Sequence, residues 1–256
     1  MLDVIQLPAL TDNYIYLLHD SITGETATVD PAVAEPVIST LQKKNWQLNY
    51  IFNTHHHGDH VGANLQLKQL TACKIVAAAS DRNRIPGIDI TVSEGETFTL
   101  GHHRFQVIAT PGHTIGHLVY YCADSNALFC GDTLFSLGCG RLFEGSAEQM
   151  WQSLQKLKIL PGNTRVYCAH EYTQANGRFA LTVEADNLDL QQRVKEVAEL
   201  RRQNLFTIPS TIALELATNP FLRDHSASLR HTIGASNDDN PIQVFAKVRS
   251  LKDQFR

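Results

Sequence analysis

The feature that most constrains the fold of this chain is a dense group of potential metal ligands directly after a short apolar run. Residues 50–52 are apolar and predict a strand, and residues 54–60 read THHHGDH. Backbone direction alternates in an extended loop, so we expect three of these side chains to project to one side and a fourth to reach a second position nearby. The three are His55, His57 and Asp59, and the fourth is His60. Imidazole and carboxylate together favour zinc or iron-type divalent ions, so the segment predicts a metal site.

An apolar strand followed by a potential ligand recurs three more times. Predicted strands at residues 105–108, 128–130 and 165–168 precede His113, Asp132 and His170, respectively. Shorter strands at residues 4–7, 14–18, 27–29 and 74–77, with helices at about 35–44 and 62–70, give an α/β alternation. We expect Leu65, Leu67 and Leu70 to form the inner face of the second helix. Loops at one edge of a rigid sheet suit catalysis, so these junctions predict one shared site.

Seven candidate ligands are too many for one tetrahedral zinc ion and suit two divalent ions that share a carboxylate. We assign His55, His57 and His113 to one ion and Asp59, His60 and His170 to the other, with Asp132 as the bridge. Zinc is the first expectation, with iron or manganese as alternatives. Two such ions can hold a bridging hydroxide at neutral pH and stabilise an oxyanion. The pattern predicts a hydrolase in which Asp59 both binds metal and orients the nucleophile.

The ligand set does not identify the electrophile. A phosphodiesterase, a lactonase or β-lactamase, and a mononuclear iron oxygenase remain open on these residues alone. We expect His56 to point away from its neighbours by alternation. His117, four residues after His113, is interpreted as a supporting or strand residue rather than an eighth ligand.

Composition limits the partners and the compartment. The chain has 256 residues and a formal net charge of −4, which gives no electrostatic case for binding nucleic acid or an anionic membrane. Its five cysteines form no C-x-x-C pair and are interpreted as reduced thiols. No apolar run approaches the length of a membrane span. We therefore expect a soluble, cytoplasmic monomer.

The residues after Thr173 have a different pattern, which predicts helices at 175–184 and 188–204 and a last helix from Pro241. We expect the buried stripe of the last helix to consist of Val244, Val248, Leu251 and Phe255. Arg249 and Lys252 lie three residues apart on the surface of the same helix, where a solvated basic face is the simplest interpretation. Two domains are predicted, at residues 1–173 and 174–256. Ser146 and Gln149 predict a capping box at the start of a helix in the first of them.

Four segments together resemble the metallo-β-lactamase superfamily: THHHGDH at 54–60, PGHTIGH at 111–117, GDTLF at 131–135 and CAHEYT at 168–173. The first segment alone identifies only the superfamily. Further segments make the chain similar to the glyoxalase II, or hydroxyacylglutathione hydrolase, family: GCGRLFEG at 138–145, HEYT at 170–173, NPFLR at 219–223 and KDQF at 252–255. The resemblance spans almost the entire chain.

The resemblance implies an α/β fold, an αββα sandwich followed by a smaller C-terminal helical domain. It implies hydrolysis of S-D-lactoylglutathione and related 2-hydroxyacylglutathiones to a 2-hydroxy acid and glutathione, the second step of methylglyoxal detoxification. By position, the implied glutathione contacts are Arg141, Phe143, Tyr172, Arg249 and Lys252. The family often has tyrosine at position 143, so Phe143 retains only packing or stacking. Basic residues suit the two carboxylates of glutathione.

Three rivals are weighed against this prediction. A persulfide dioxygenase of the same superfamily would use one iron ion, and the intact seven-ligand set argues against it. A non-catalytic glutathione-binding relative would have lost ligands, and none is lost here. A nuclease would need a basic surface and an inserted domain.

Overall fold

The computed structural model describes residues 2–236 and 238–255. Contacts divide this part of the chain into two compact units. The first comprises the described residues up to Ala109 together with Gly116–Gly131. The second comprises Thr110–Ile115 and the described residues from Asp132 onward. Across both ranges, the helices are all too short or too polar to cross a bilayer.

The first unit contains a six-stranded mixed sheet whose strands are neighbours in chain order. Its strands are β1 (Leu2–Ala9), β2 (Asn13–Asp20), β3 (Glu25–Val29), β4 (Gln47–Phe52), β5 (Lys74–Ala78) and β6 (Ile90–Val92). Pairing is antiparallel from β1 to β3 and parallel from β3 to β6. The carboxyl ends of β3 and β4 therefore meet at one edge, where the Asp30 amide donates to the Phe52 carbonyl at 3.0 Å.

Three helices connect the parallel strands of this sheet, because parallel neighbours need a crossover. They are α1 (Glu35–Lys44), α2 (Gly58–Val61) and α3 (Asn64–Thr71). Val37 and Leu41 of α1 and Leu67 of α3 are buried in the same hydrophobic core as Ile51 and Ile75. The apolar face of each longer helix therefore packs on the sheet, which holds the end of β4 in place.

Two local predictions are wrong in this region. The segment after β4 is not extended throughout, because Gly58–Val61 forms a helical turn that carries Asp59 and His60. An acidic residue in the first turn suits the positive end of a helix, and this favours the turn over an extended loop. Leu65 is 57% exposed and Leu70 is 61% exposed, so neither belongs to the inner face of α3.

Four antiparallel strands form a second layer in the same unit. They are β7 (Thr97–Leu100), β8 (His103–Ala109), β9 (Leu118–Cys122) and β10 (Ala127–Gly131), each paired with the next. The Phe52 ring centroid lies 5.4 Å from that of Phe105 and 5.1 Å from that of Tyr120. The Tyr120 hydroxyl donates to the Asn53 carbonyl at 2.9 Å. Both layers thus anchor the chain just before His55.

The second unit is mainly helical. Its helices are α4 (Ala147–Lys158), α5 (Thr173–Val183), α6 (Leu188–Arg202), α7 (Ile212–Thr218), α8 (Ala227–Thr232) and α9 (Pro241–Gln254). Its short strands are β11 (Leu134–Phe135), β12 (Gly138–Cys139), β13 (Arg165–Cys168) and β14 (Ser210–Thr211). The predicted capping box of Ser146 and Gln149 is confirmed at the start of α4. A second capping box, formed by Asn240 and Gln243, begins α9.

The buried face of α9 differs from the predicted stripe. Val244 and Val248 are buried as expected, but Leu251 is 40% exposed and Arg249 is only 6% exposed. Arg249 can be buried because its guanidinium lies 5.1 Å from the Phe221 ring centroid and is paired with an acid on its own helix. A charged side chain whose hydrogen bonds are satisfied can replace an apolar one in such a position.

Candidate active site

The first set of donors follows β4 in the first unit. His55 is fully buried, and its Nε2 lies 3.0 Å from Nδ1 of His57. His57 has extended backbone angles and directly precedes the helical turn α2. The change from strand to turn therefore brings imidazole nitrogens from consecutive segments to one place. Such convergence is typical of a metal site.

His60 is oriented by a buried carboxylate that the sequence interpretation did not single out. Nδ1 of His60 lies 3.0 Å from Oδ2 of Asp30, and the Thr54 hydroxyl donates to the same oxygen at 2.6 Å. Asp30 directly follows β3, the parallel neighbour of β4. A carboxylate at Nδ1 leaves Nε2 available to a metal ion and fixes the ring orientation. The clue in the sequence was an aspartate at the end of a strand.

Asp59 is also held by a residue that sequence reasoning missed. The Asn13 side-chain amide donates to Oδ2 of Asp59 at 3.1 Å and to its backbone carbonyl at 3.2 Å. Oδ2 lies 3.5 Å from Nε2 of His60. Asp59 is partly exposed, in contrast to the buried histidines. Its carboxylate is therefore both fixed in direction and accessible to solvent.

The two neighbouring histidines have other contacts. Nδ1 of His56 lies 3.5 Å from Oδ2 of Asp81. The His117 ring stacks on the His55 ring, with centroids 4.8 Å apart and an angle of 21° between the planes. His117 therefore packs against one of the metal-ligand candidates.

The second set of donors belongs to the second unit. Oδ2 of Asp132 lies 3.3 Å from Nε2 of His113, and Oδ1 lies 3.4 Å from Nε2 of His170. All three residues are buried. Nδ1 of His113 donates to the Arg141 carbonyl at 2.8 Å, which directs Nε2 toward the aspartate. One carboxylate oxygen thus faces each histidine, which is the arrangement that a bridging carboxylate requires.

Close backbone approach supports this second set. A Cβ atom added at Gly140 would lie 2.0 Å from the Asp132 carbonyl oxygen and 3.2 Å from Cβ of His113. Only glycine fits at this position without moving the donors. Glycine at position 140 is therefore required for the geometry around Asp132.

The donor chemistry of both sets fits divalent metal ions. All seven predicted ligands lie in the described residues, four in the first unit and three in the second. The donors are imidazole nitrogens and carboxylate oxygens, and hydrogen bonds to Asp30 and to the Arg141 carbonyl orient two of the histidines. Zinc, iron and manganese all accept such ligands.

A cavity of about 380 Å³ lies beside the donors of the second unit. Its lining residues are His113, Asp132, Phe135, Cys139, Arg141, Phe143, Tyr172, Ala175, Asn176, Arg249 and Lys252. The five residues that the resemblance implied as glutathione contacts are therefore brought together around one space, with two of the metal-ligand candidates. This arrangement can place a substrate next to a metal centre.

Positive charge dominates the polar side of the cavity. Burial lowers the pKa of Lys252, and the positive charges of Arg249, Arg178 and Arg141 lower it further. Arg249 donates to the Cys139 carbonyl at 3.0 Å and to Oδ1 of Asp253 at 2.8 and 3.1 Å. Such a cluster of cations favours a ligand that carries carboxylates.

Aromatic rings complete the cavity wall. The Tyr172 ring stacks on the His170 ring at 4.7 Å, with 2° between the planes. The Phe143 ring meets the His113 ring edge to face at 5.2 Å. These rings restrict the movement of two donor histidines, so the wall of the cavity also supports the metal-ligand candidates.

A buried polar network positions the β11–β12 hairpin that lines the cavity. The Asn219 side chain donates to the carbonyls of Phe135 and Gly138 at 3.1 and 2.9 Å. The Leu137 amide donates to Glu215 at 2.8 Å, and Leu137 has a φ of 60°. Burial raises the pKa of Glu215. Asn219 lies in the NPFLR segment, so that segment supports the cavity from behind rather than lining it.

Comparison with known families matches both parts of the chain. Residues 11–170 match the family model described as metallo-beta-lactamase superfamily, and residues 171–255 match the one described as hydroxyacylglutathione hydrolase C-terminus. The αββα sandwich and the helical C-terminal domain that we predicted are therefore confirmed.

Individual relatives agree over the full length. The chain is 55% identical to a hydroxyacylglutathione hydrolase of Methylococcus capsulatus over 256 residues, which cover 100% of both chains. It is 50% identical to a hydroxyacylglutathione hydrolase of Rhodospirillum rubrum over 254 residues, 99% of each chain. Among solved structures it is similar to ETHE1 from Myxococcus xanthus, with a TM-score of 0.68, 27% identity, and coverage of 99% of this chain and 100% of that one. The chain belongs to the hydroxyacylglutathione hydrolase family of the metallo-β-lactamase superfamily.

Proposed function

We propose that this chain hydrolyses the thioester bond of S-D-lactoylglutathione and related 2-hydroxyacylglutathiones, releasing the 2-hydroxy acid and glutathione. In the cell this reaction would be the second step of methylglyoxal detoxification. The observation that carries the proposal is the sequence identity of 55% and 50%, over essentially the full length, to two hydroxyacylglutathione hydrolases. A cavity with cationic and aromatic walls beside metal-ligand candidates is consistent with it.

The proposal includes two divalent ions per chain, zinc first, with iron or manganese as alternatives. His55, His57 and His113 would hold one ion, and Asp59, His60 and His170 the other, with Asp132 shared between them. The two oxygens of Asp132, each facing a different histidine, support the shared role. When bound, such ions lower the pKa of a coordinated water, so that a nucleophile exists at neutral pH, and they stabilise negative charge on the carbonyl oxygen.

The side chains then orient the groups that react. Asp59, held by Asn13, would accept a hydrogen bond from the nucleophile and fix its direction. Asp30 would keep the Nδ1 proton of His60 on the side away from the metal. The thiol of glutathione has a pKa of about 8.5, so its thiolate is a good leaving group and needs little help from a general acid.

The cavity would bind the glutathione part of the substrate. Arg141 and Lys252 offer positive charge to its carboxylates, and Tyr172 and Phe143 offer flat apolar surface. Arg249 is already paired with Asp253, so we expect it to act through the shape of the cavity and through its charge. Phe143 lacks a hydroxyl group and would contribute packing alone.

We assign residues 1–173 to the metal-binding domain and residues 174–256 to the substrate-binding domain. We further propose that the chain acts as a monomer in the cytoplasm. All five cysteines are buried without a disulfide, which is consistent with a reducing compartment. Light scattering coupled to size exclusion would measure the oligomeric state directly.

The decisive experiment is hydrolysis of S-D-lactoylglutathione by purified protein, followed at the thioester absorbance, with metal content measured on the same sample. A thioester without glutathione, a lactone and a phosphodiester serve as controls. We expect turnover of the glutathione thioester alone, with close to two metals per chain. Two bound metals without thioester turnover would contradict the substrate assignment, and turnover without bound metal would contradict the metal centre.

A further inference from the structure

A second group of converging donors lies in the first unit, at the far end of the β8–β9 hairpin. Nδ1 of His103 lies 2.9 Å from Oδ1 of Asp124, and the Cys122 thiol donates to the same oxygen at 3.2 Å. The Ser125 hydroxyl donates to it at 2.7 Å. One nitrogen, one sulfur and one carboxylate oxygen of this group lie within 4.8 Å of one another. Among the converging donor groups of the described residues, this is the one that contains a cysteine.

The group is separate from the active-site candidates. Cys122 is the last residue of β9, whereas His117, whose ring stacks on His55, directly precedes the first residue of that strand, Leu118. Five residues of extended chain separate the two ends by roughly 15 Å. No donor can therefore serve both places. The function proposed above makes no use of His103, Cys122 or Asp124.

The geometry points to a binding site for a divalent ion with affinity for sulfur, which we propose to be formed by His103, Cys122 and Asp124 and to accept zinc. Cysteine, histidine and aspartate are the three side-chain types that zinc prefers, and three such ligands leave a fourth position for water or the Ser125 hydroxyl. The Asp124 side chain is 47% exposed and provides the entry path, whereas Cys122 is fully buried.

Proton balance sets the conditions for binding. The ion would take the place of the thiol proton, which passes to solvent. The imidazole proton that Nδ1 donates to Asp124 would move through solvent to Nε2, so that Nδ1 is free to coordinate. The Cys122 thiol donates a hydrogen bond to Asp124, so it carries its proton when no ion is bound. Binding should therefore release one proton per ion and strengthen as pH rises.

Cobalt(II) provides a probe that distinguishes this site from the active site. A thiolate bound to cobalt gives a charge-transfer absorption in the near ultraviolet, and the seven metal-ligand candidates of the active site include no cysteine. Metal-free protein would be titrated with cobalt(II), and the variant Cys122→Ser would be compared with Cys73→Ser, a buried cysteine outside the group. Serine at position 122 keeps a hydrogen-bond donor toward Asp124.

We expect the charge-transfer band in the wild type and in Cys73→Ser. Cys122→Ser should lose the band and should bind one cobalt ion per chain fewer than the wild type. Hydrolysis of the thioester should be unchanged in Cys122→Ser. Asp124→Asn, at a partly exposed position, should bind the cobalt of this site about tenfold or more weakly, which tests the site even if the cysteine variant does not fold. Absence of the band in the wild type at saturating cobalt, or its persistence in Cys122→Ser, would overturn the proposal.

Discussion

The donor segment after β4 and the cavity of the second unit are built in opposite ways. Residues 55–60 supply four metal-ligand candidates from one short stretch of chain. The cavity takes its lining from well-separated segments that include His113, Phe135, Tyr172 and Arg249. The first can therefore be recognised by spacing alone, whereas the second exists only after the helices have packed. The donor segment is therefore encoded locally, whereas the cavity is encoded by packing.

The two regions also differ in charge. The donor segment combines histidines with the carboxylates of Asp30 and Asp59, which suits cations. The cavity lining carries the cations Arg141, Arg249 and Lys252 together with the carboxylate of Asp132. Asp253 pairs with both arginines. Variants in the two regions should therefore fail differently, in metal content and turnover on one side and in substrate affinity on the other.

The largest effect is expected from Asp132→Ala. Loss of the carboxylate that faces both His113 and His170 should lower metal content and reduce kcat by about 10³-fold, because groups that stabilise the transition state are lost with the ions. Turnover and metal content would be measured on one sample, with Asp189→Ala, at an exposed position on α6, as the control. Full activity in Asp132→Ala would rule out the bridging role.

In the cavity, Lys252→Met should raise KM about 10- to 100-fold with little change in kcat, since it removes a charge-assisted contact to a substrate carboxylate. Methionine keeps an apolar stem against the Phe179 ring, which lies 5.5 Å from Nζ. The matched control is Lys247→Met on the same helix, because Lys247 pairs with Asp239. A fall in kcat at unchanged KM would place Lys252 in the chemistry instead of in binding.

Asp30→Asn tests whether orientation of a ligand matters as well as its presence. We expect metal affinity to fall by roughly 10- to 100-fold, because the amide holds the Nδ1 proton of His60 less firmly than the carboxylate does. Metal dissociation constants measured by competition with a chelator would provide the comparison. Asp20→Asn, a buried aspartate at the end of β2, controls for lost stability and should leave metal affinity unaltered.

The pH dependence of KM should show the charge of Lys252. Burial and neighbouring cations lower its pKa, so the lysine loses its charge at a lower pH than an ordinary lysine does. Affinity for the anionic thioester is present below that pKa and is lost as pH rises through it, by up to about tenfold. Lys252→Arg stays charged over this range and should remove the alkaline rise in KM. The same alkaline rise in KM in the wild type and in Lys252→Arg would contradict the assignment of Lys252 as a substrate contact.

The smallest effect concerns a feature outside both regions. Ser146→Ala removes the side-chain cap at the start of α4 and should lower the free energy of unfolding by about 1 kcal/mol. Urea denaturation would measure the change, and metal content and KM should match those of the wild type. A change in either of these would show that the start of α4 contributes to the active site.

Local patterns were sufficient for much of the secondary structure. The capping box of Ser146 and Gln149 marked the start of α4, because it depends only on residues within one turn. The alternation argument was wrong at Asp59 and His60, where a helical turn replaces an extended loop. Leu251 was assigned to the buried face of α9, but Arg249 is buried there instead. Periodicity could not anticipate that a paired guanidinium would pack on Phe221.

The sequence by itself determined which side chains could bind metal and that each would follow a strand, because ligand type and strand pattern are properties of a few consecutive residues. Only the tertiary structure decided what orients them. Asp30 reaches His60, and Asn13 reaches Asp59, across strands that are distant in the chain. The cavity and the hydrogen bond from Arg249 to the Cys139 carbonyl likewise depend on packing between separate elements. Hydrogen bonds between distant segments produce no periodic pattern in a single sequence, so they can be identified only in the folded structure.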